Sequence, residues 1–390
     1  MTDDTTAQHP VYEPREDSML LAKWAAKLAK GNVLDMGTGS GYQALAARKS
    51  KRVKNVLCVD RNPAAVRAAR QLGFAAVESD LFLSVKGVYD TIIFNPPYLP
   101  SGKNYPDMAL DGGKRGYETL ARFLRDLPAY LKTDGIALIL FSSLTQKNVV
   151  DAVIDEMFLL ALELDRAYIG GFETIYVYKI SKTEFAKELE RNGIRHIRRF
   201  TKGHRGLILT GMYKRRKVAI KIQRPDSPAK GTVDHEARVL SRLNAHGIGP
   251  RVLMAGKDYF VYPFIEGDSI KEYLSKTTKK YAQIMLGNVF KQMRTLDKLG
   301  HNKEEMHHPY KHIIVGDSGK ITLLDFERCH ATAKMHNVTQ FCQCATSKAM
   351  EKMLAQLGIK IDKKKMVEVA KAYRKDMSEE NFRKILGRVR

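Results

Sequence analysis

Over residues 32–141 the chain alternates short apolar runs with amphipathic ones, and this alternation restricts the fold more than any other feature. "NVLDMG" (32–37), "NVLCVD" (55–60), "FAAVESD" (74–80), "YDTIIF" (89–94) and "GIALILF" (135–141) read as strands. Segments such as "PAAVRAARQLG" (63–73) read as helices between them. Strand and helix in alternation predict a doubly wound α/β domain whose sheet is mostly parallel and covered on both faces. "FETIYVYKI" (172–180) reads as a late strand, the antiparallel edge of a mixed sheet.

Ligands of such sheets bind beyond the carboxyl ends of the strands. Four strand ends are polar here. The first is "DMGTGSG" (35–41), where Asp35 precedes a turn containing Gly37, Thr38, Gly39 and Gly41. The glycines let the backbone approach a ligand, and the turn feeds a helix N-terminus. Asp60 closes the second strand and suits ribose hydroxyls. Asp80 is placed to accept from an adenine amino group. The fourth end is "NPPY", Asn95, Pro96, Pro97 and Tyr98. Two consecutive prolines fix their φ angles and donate no backbone hydrogen bond, which makes a rigid loop with exposed carbonyls.

This ordered set resembles the class I methyltransferases that use S-adenosylmethionine. Within that class "NPPY" is shared by enzymes that methylate an amino nitrogen conjugated to a planar system. "VYEPREDSMLL" (11–21) and "LDGGKRGYE" (110–118) are similar to motifs of the HemK-type release-factor glutamine methyltransferases, in the short form of archaea and eukaryotes. The resemblance implies S-adenosylmethionine held by Asp35, Gly37, Thr38, Gly39, Gly41, Asp60 and Asp80, with Glu13 and Asp17 closing over it. It implies a glutamine amide held by Asn95 and the Pro96 carbonyl, with Pro97 as pocket floor and Tyr98 stacked on the amide plane. It further implies a translation release factor as substrate and a small zinc-binding activator protein as partner. A nucleic-acid adenine methyltransferase uses the same loop for an equally planar amino group, and that alternative stays open here.

Charge separates the two halves. Of 66 Lys+Arg and 43 Asp+Glu, 22 and 21 fall in residues 1–180, leaving 44 and 22 for the remainder. A charge step that sharp marks modules with different partners, and the basic one suits tRNA, rRNA or the ribosome. The expected domains are 1–181 and 182–390. In the second, "KVAIKI" (217–222) places Lys221 inside an apolar strand, "VDHEARVLSRLNAHG" (233–247) reads as a helix carrying Glu236, and "ITLLDFER" (321–328) ends a hairpin at Asp325. This order resembles an atypical protein kinase of the RIO type, similar also to the kinase of the KEOPS complex, over about residues 195–330, with a helical tail at 331–390. The resemblance implies ATP held by Lys221 and Glu236, with Mg on Asp325. The glycine loop "KGHRG" (202–206) is thin. Counting back from "IIV" in "EEMHHPYKHIIV" puts His312 in the catalytic-loop asparagine slot and His307 in the aspartate slot, with Glu304 or Glu305 as substitutes. An unorthodox kinase or ATPase, a nucleotide-binding pseudokinase and a basic RNA-docking module all remain open.

No segment approaches the about 20 apolar residues of a membrane helix, and "MTDDTTAQHP" is no secretory signal. Four cysteines make no disulfide framework, so a reducing cytoplasm is expected. "CQC" (342–344) lies in a run, "NVTQFCQCATSKAMEKMLAQLG", that reads as one amphipathic helix, so packed thiols are expected rather than a zinc site.

Overall fold

The computed structural model describes residues 13–98, 112–202, 206–223, 231–304 and 306–389. It forms two compact units, one of Met1–Arg198 with Met212–Lys214, the other of Arg199–Gly211 with Arg215–Arg390.

The first unit opens on α1 (Glu16–Leu28), whose Leu21, Ala22 and Ala25 are buried. Then come β1 (Gly31–Met36), α2 (Tyr42–Arg48), β2 (Val53–Asp60), α3 (Pro63–Gln71), β3 (Ala75–Glu78), β4 (Tyr89–Phe94), α4 (Glu118–Tyr130), β5 (Leu131–Ser142), α5 (Lys147–Glu156), β6 (Leu159–Ile169), β7 (Glu173–Lys182) and α6 (Glu184–Arg191). The seven strands lie in the order β3-β2-β1-β4-β5-β7-β6. β1 to β5 run parallel, whereas β7 is antiparallel to both β5 and β6. This is the expected doubly wound mixed sheet. Successive strand residues face opposite sides, so two cores form. Leu34, Ile92, Phe94, Ile139 and Tyr178 pack on the α4–α5 side. Val33, Ile93, Leu138, Leu140 and Ile175 pack on the α1–α2 side.

The sheet's antiparallel edge is β6, not the strand at 172–180, which lies inside as β7. β6 reads "LLALELDRAYI", and its charged Glu163, Asp165 and Arg166 suit an edge. Those charges also blur the strand signal in the sequence.

Beyond α6, β8 (Ile194–Lys202), β9 (Gly206–Tyr213), β10 (Arg216–Gln223), β11 (Met254–Gly256) and β12 (Tyr259–Pro263) make a sheet in the order β11-β12-β10-β9-β8. α7 (Thr232–Leu243) buries Glu236, Ala237 and Leu240 in the core that Phe260 joins. β13 (Asp268–Ser269), α8 (Ile270–Lys276), α9 (Lys279–Lys298), β14 (His301–Asn302), β15 (Ile313–Val315), β16 (Ile321–Leu323) and β17 (His330–Ala331) follow. The chain then runs through α10 (Asn337–Ala345), α11 (Lys348–Gln356), α12 (Lys363–Lys375) and α13 (Glu379–Leu386).

The single helix expected over 337–358 is two. Ser347 caps α11 by accepting from the Met350 N–H, and a serine that caps its own backbone starts a new helix. Cys329, Cys342 and Cys344 are buried thiols, pushed up to about 12 by burial. Among the described residues no helix is long and apolar enough to cross a membrane.

Candidate functional site

The glycine turn follows β1. Gly37, Gly39 and Gly41 have φ of +62°, +52° and +78°, in the left-handed region that side chains with a Cβ disfavour. A Cβ on Gly37 would stand 3.3 Å from the Phe94 ring. Asp35 fixes the turn from below. Its Oδ2 accepts from the Thr38 hydroxyl at 2.7 Å and from the Ala44 N–H of α2 at 3.1 Å. Burial pushes its carboxyl up to about 7. Its other oxygen, Oδ1, is buried and has no hydrogen-bond partner among the described residues.

One strand over, the Asp60 Oδ2 accepts from the Gly39 N–H at 2.9 Å and Oδ1 from the Asn62 N–H at 2.8 Å. Burial raises its pKa as well. Asn62 then caps α3 by accepting from the Ala64 N–H. Two acids at neighbouring strand ends, one with an unused buried acceptor, suit a ligand that brings hydroxyl donors and positive charge. S-adenosylmethionine has both. Asp80 pairs with Arg122 at 2.7 Å and is half exposed. Glu13 is exposed just ahead of α1.

β4 carries the second half of the site. Beyond Phe94, the Asn95 Nδ2 donates to the Asp17 Oδ2 at 3.1 Å, and the Tyr98 hydroxyl donates to the same oxygen at 3.4 Å. Asp17 is buried in the first turn of α1 and its Oδ1 accepts from the Ser18 N–H. The Gln43 Nε2 donates to the Ser18 carbonyl, tying α1 to α2. The Asn95 Oδ1 is buried and has no hydrogen-bond partner among the described residues. Pro96 is buried, while Pro97 and Tyr98 are half-buried. Gly112 packs so closely that a Cβ there would lie 2.8 Å from the Pro97 carbonyl oxygen, so the loop that includes "GGKRGYE" presses on the NPPY segment. Val11, Tyr12, Leu110 and Asp111 of the flanking motifs lie outside the described residues. Gln43 and Arg122 carried no motif signal, and only their helical spacing from the turns could have pointed to them.

The second unit holds its own cluster. The Lys221 ammonium pairs with Glu236 and stands 3.4 Å from the Asp325 Oδ1. Burial alone would lower the Lys221 pKa, but the two carboxylates hold it above its ordinary value. The Glu236 Oε1 accepts from the Phe326 N–H at 2.9 Å. The Lys303 Nζ donates to the Asp325 carbonyl at 2.5 Å, and Asp325 has φ +63°. The His312 Nδ1 lies 3.4 Å from the Asp325 Oδ2. A cavity of about 1130 Å³ is lined by Lys221, Glu236, Lys303, Glu304, His312 and Asp325 among others. His307 is exposed and does not line it, which corrects the expected aspartate slot. Counting residues along an irregular loop does not give its path. Glu305 and residues 203–205 of the thin glycine loop lie outside the described residues.

Residues 16–161 match the methyltransferase small domain. A Methanocaldococcus jannaschii protein, provisionally named a protein N5-glutamine methyltransferase, is 45% identical over 149 residues, covering 35% of this chain and 75% of that protein. The release factor glutamine methyltransferase of Deinococcus radiodurans is 29% identical over 154 residues, covering 36% of this chain and 55% of that enzyme. Thus the chain spans about half the length of that bacterial relative. Among solved structures, the E. cuniculi Mtq2–Trm112 complex, responsible for methylation of the eRF1 termination factor, is 31% identical with a TM-score of 0.38, covering 44% of this chain and 99% of that one. The chain belongs to the S-adenosylmethionine-dependent methyltransferases of the methyltransferase small domain family.

Proposed function

We propose that the first unit methylates the side-chain amide nitrogen of a glutamine in a translation release factor. The observation that carries this reading is the Asn95 amide. Its Nδ2 is held by Asp17, so its Oδ1 is left as a buried acceptor with no donor among the described residues. An orphaned acceptor beyond a strand end calls for an N–H donor from a ligand. The names of the curated relatives support a glutamine, and several of them name a release factor.

A glutamine amide is a poor nucleophile, because its nitrogen lone pair is delocalised into the carbonyl. The Asn95 Oδ1 and the Pro96 carbonyl each accept one amide N–H, which fixes the plane and aims the nitrogen. They also stabilise the positive charge that develops on nitrogen. Pro97 holds the loop rigid, and the Tyr98 ring, anchored through its hydroxyl on Asp17, bounds the pocket. S-adenosylmethionine, when bound, supplies the electrophilic methyl group. Asp35, Asp60 and the glycine turn hold it, and positioning does much of the rest. After transfer the surplus amide proton leaves to solvent. The test is methyl transfer from labelled S-adenosylmethionine to release factor, with Asn95→Ala expected to lose at least about 100-fold. A small zinc-binding activator, implied by the family resemblance, is part of the proposal.

For the second unit we propose nucleoside triphosphate binding with Mg. The buried Lys221–Glu236 pair, with Asp325 beside it in the wall of a large cavity, supports it, because a lysine held charged there suits phosphate oxygens. The basic excess of that half supports contact with RNA or the ribosome.

A further inference from the structure

The β6–β7 hairpin turns at the same end of the sheet as the NPPY segment. Ser142, at the carboxyl end of β5, pairs with Ile175, and Glu173 pairs with Ile169 beyond it. Glu173, Ile175 and Val177 share one face of β7 by the two-residue repeat of a strand. Ile175 and Val177 belong to the core on the α1 side, with Ile169 and Tyr98 packed against it. Asn95 meets α1 through Asp17, so Glu173 and Asn95 point to the same face, two strands apart. The cofactor residues Asp35 and Asp60 lie on the opposite side of β4, on β1 and β2. Glu173 is therefore on the acceptor side.

Two features mark this tip. The Glu173 Oε1 is buried and has no hydrogen-bond partner among the described residues, although the backbone beside it is fixed by the Thr174 N–H donating to the Ser143 hydroxyl at 3.1 Å. Phe172 is 97% exposed, and Tyr168 is 75% exposed. An unused buried acceptor next to an exposed aromatic ring is the pattern of a contact surface rather than of a turn.

We propose that this hairpin tip docks the acceptor protein. Glu173 accepts a backbone N–H of the polypeptide that carries the methylated amide, and Phe172 makes the apolar contact beside it. The occupant is a polypeptide rather than a nucleic acid, because a carboxylate facing the acceptor would repel a phosphate backbone. The proposal rests on the glutamine-methyltransferase reading above and names the surface that selects its substrate.

The experiment measures kcat and KM for the release factor, together with S-adenosylmethionine affinity, in Glu173→Ala, Glu173→Gln and Phe172→Ser. Glu173→Ala raises KM about tenfold, and Glu173→Gln raises it less, since a neutral acceptor makes the weaker bond. Phe172→Ser, at a site too exposed to unfold the protein, raises KM several-fold. All three keep kcat and cofactor affinity. Unchanged KM in Phe172→Ser and Glu173→Gln overturns the proposal. So does a loss of cofactor affinity that parallels the rise in KM, because Glu173 would then be structural. If wild type leaves release factor unmethylated, the functional reading fails by itself. In that case, weaker binding of a single-stranded RNA oligonucleotide by Phe172→Ser would overturn the polypeptide assignment too.

Discussion

Asn95 and Asp17 are joined by a 3.1 Å hydrogen bond from the Asn95 Nδ2 to the Asp17 Oδ2, across 78 residues of chain. The bond sets the amide's orientation. With Nδ2 engaged, only Oδ1 remains to meet a substrate. Asp17→Ala frees the amide to rotate, and a misplaced acceptor costs about 100-fold in kcat. Cofactor affinity falls less than kcat, since Asp35 and Asp60 hold the cofactor from β1 and β2 while Asp17 only closes over it. Steady-state kinetics beside calorimetric titration of S-adenosylmethionine checks both.

Gly37→Ala tests the turn. The added Cβ has to sit at φ +62° and 3.3 Å from the Phe94 ring. The expected cost is about 1–2 kcal/mol of stability in the first unit, with a larger loss of cofactor affinity. Trp24 is the chain's single tryptophan and lies in that unit, so its fluorescence reports this unfolding alone.

Asp35 gives the first unit a pH-dependent term. Its folded pKa is about 7 against 3.8, with burial the main cause, so the folded state holds the proton more tightly than the unfolded chain. That stabilisation is complete below about pH 4 and is lost as pH rises to about 7. Asp35→Asn lacks the term. The stability difference, wild type minus Asp35→Asn, is therefore expected to fall by up to about 4 kcal/mol between pH 4 and 7, then level off. Trp24 fluorescence in urea at a series of pH values measures it without cofactor.

Lys221→Met leaves Glu236 buried without its cation. Stranding one member of a buried pair costs about 3–5 kcal/mol, and the loss falls on the second unit. Differential scanning calorimetry is expected to show that unit's transition move down while the Trp24 transition stays. Adding Glu236→Leu recovers part of the loss, because an apolar pair removes the uncompensated charge.

Asp325→Asn separates binding from folding in the second unit. Mg and ATP together raise the melting temperature of wild type by linkage, and the variant loses that shift. A shift that survives in Asp325→Asn contradicts the Mg assignment.

Much of the site was legible because local physics dictates its residue types. A left-handed turn beyond β1 needs glycine, acids close β1 and β2, and two prolines make "NPPY" rigid, all readable from a few adjacent positions. What stayed hidden depends on the path of the chain. Nothing near Asn95 in sequence names Asp17 as its partner. β6 carries edge charges in place of a clean alternation, so Glu173 read as part of an edge strand and not as an acceptor-side carboxylate. The loop before β15 shows the same limit from the other direction. Spacing put His307 in the aspartate slot, but the fold exposes it and lines the cavity with Lys303, which no motif marked, beside His312 and Glu304.

The most direct test of the central claim is to map the methyl group. Wild type and Asn95→Ala are incubated with labelled S-adenosylmethionine and release factor, with tRNA as a parallel acceptor, and the products are read by mass spectrometry. The account predicts one methyl on a glutamine side-chain nitrogen of the release factor, lost in Asn95→Ala. A methyl on an adenine amino group, or on a release-factor glutamine with Asn95→Ala as active as wild type, would contradict it.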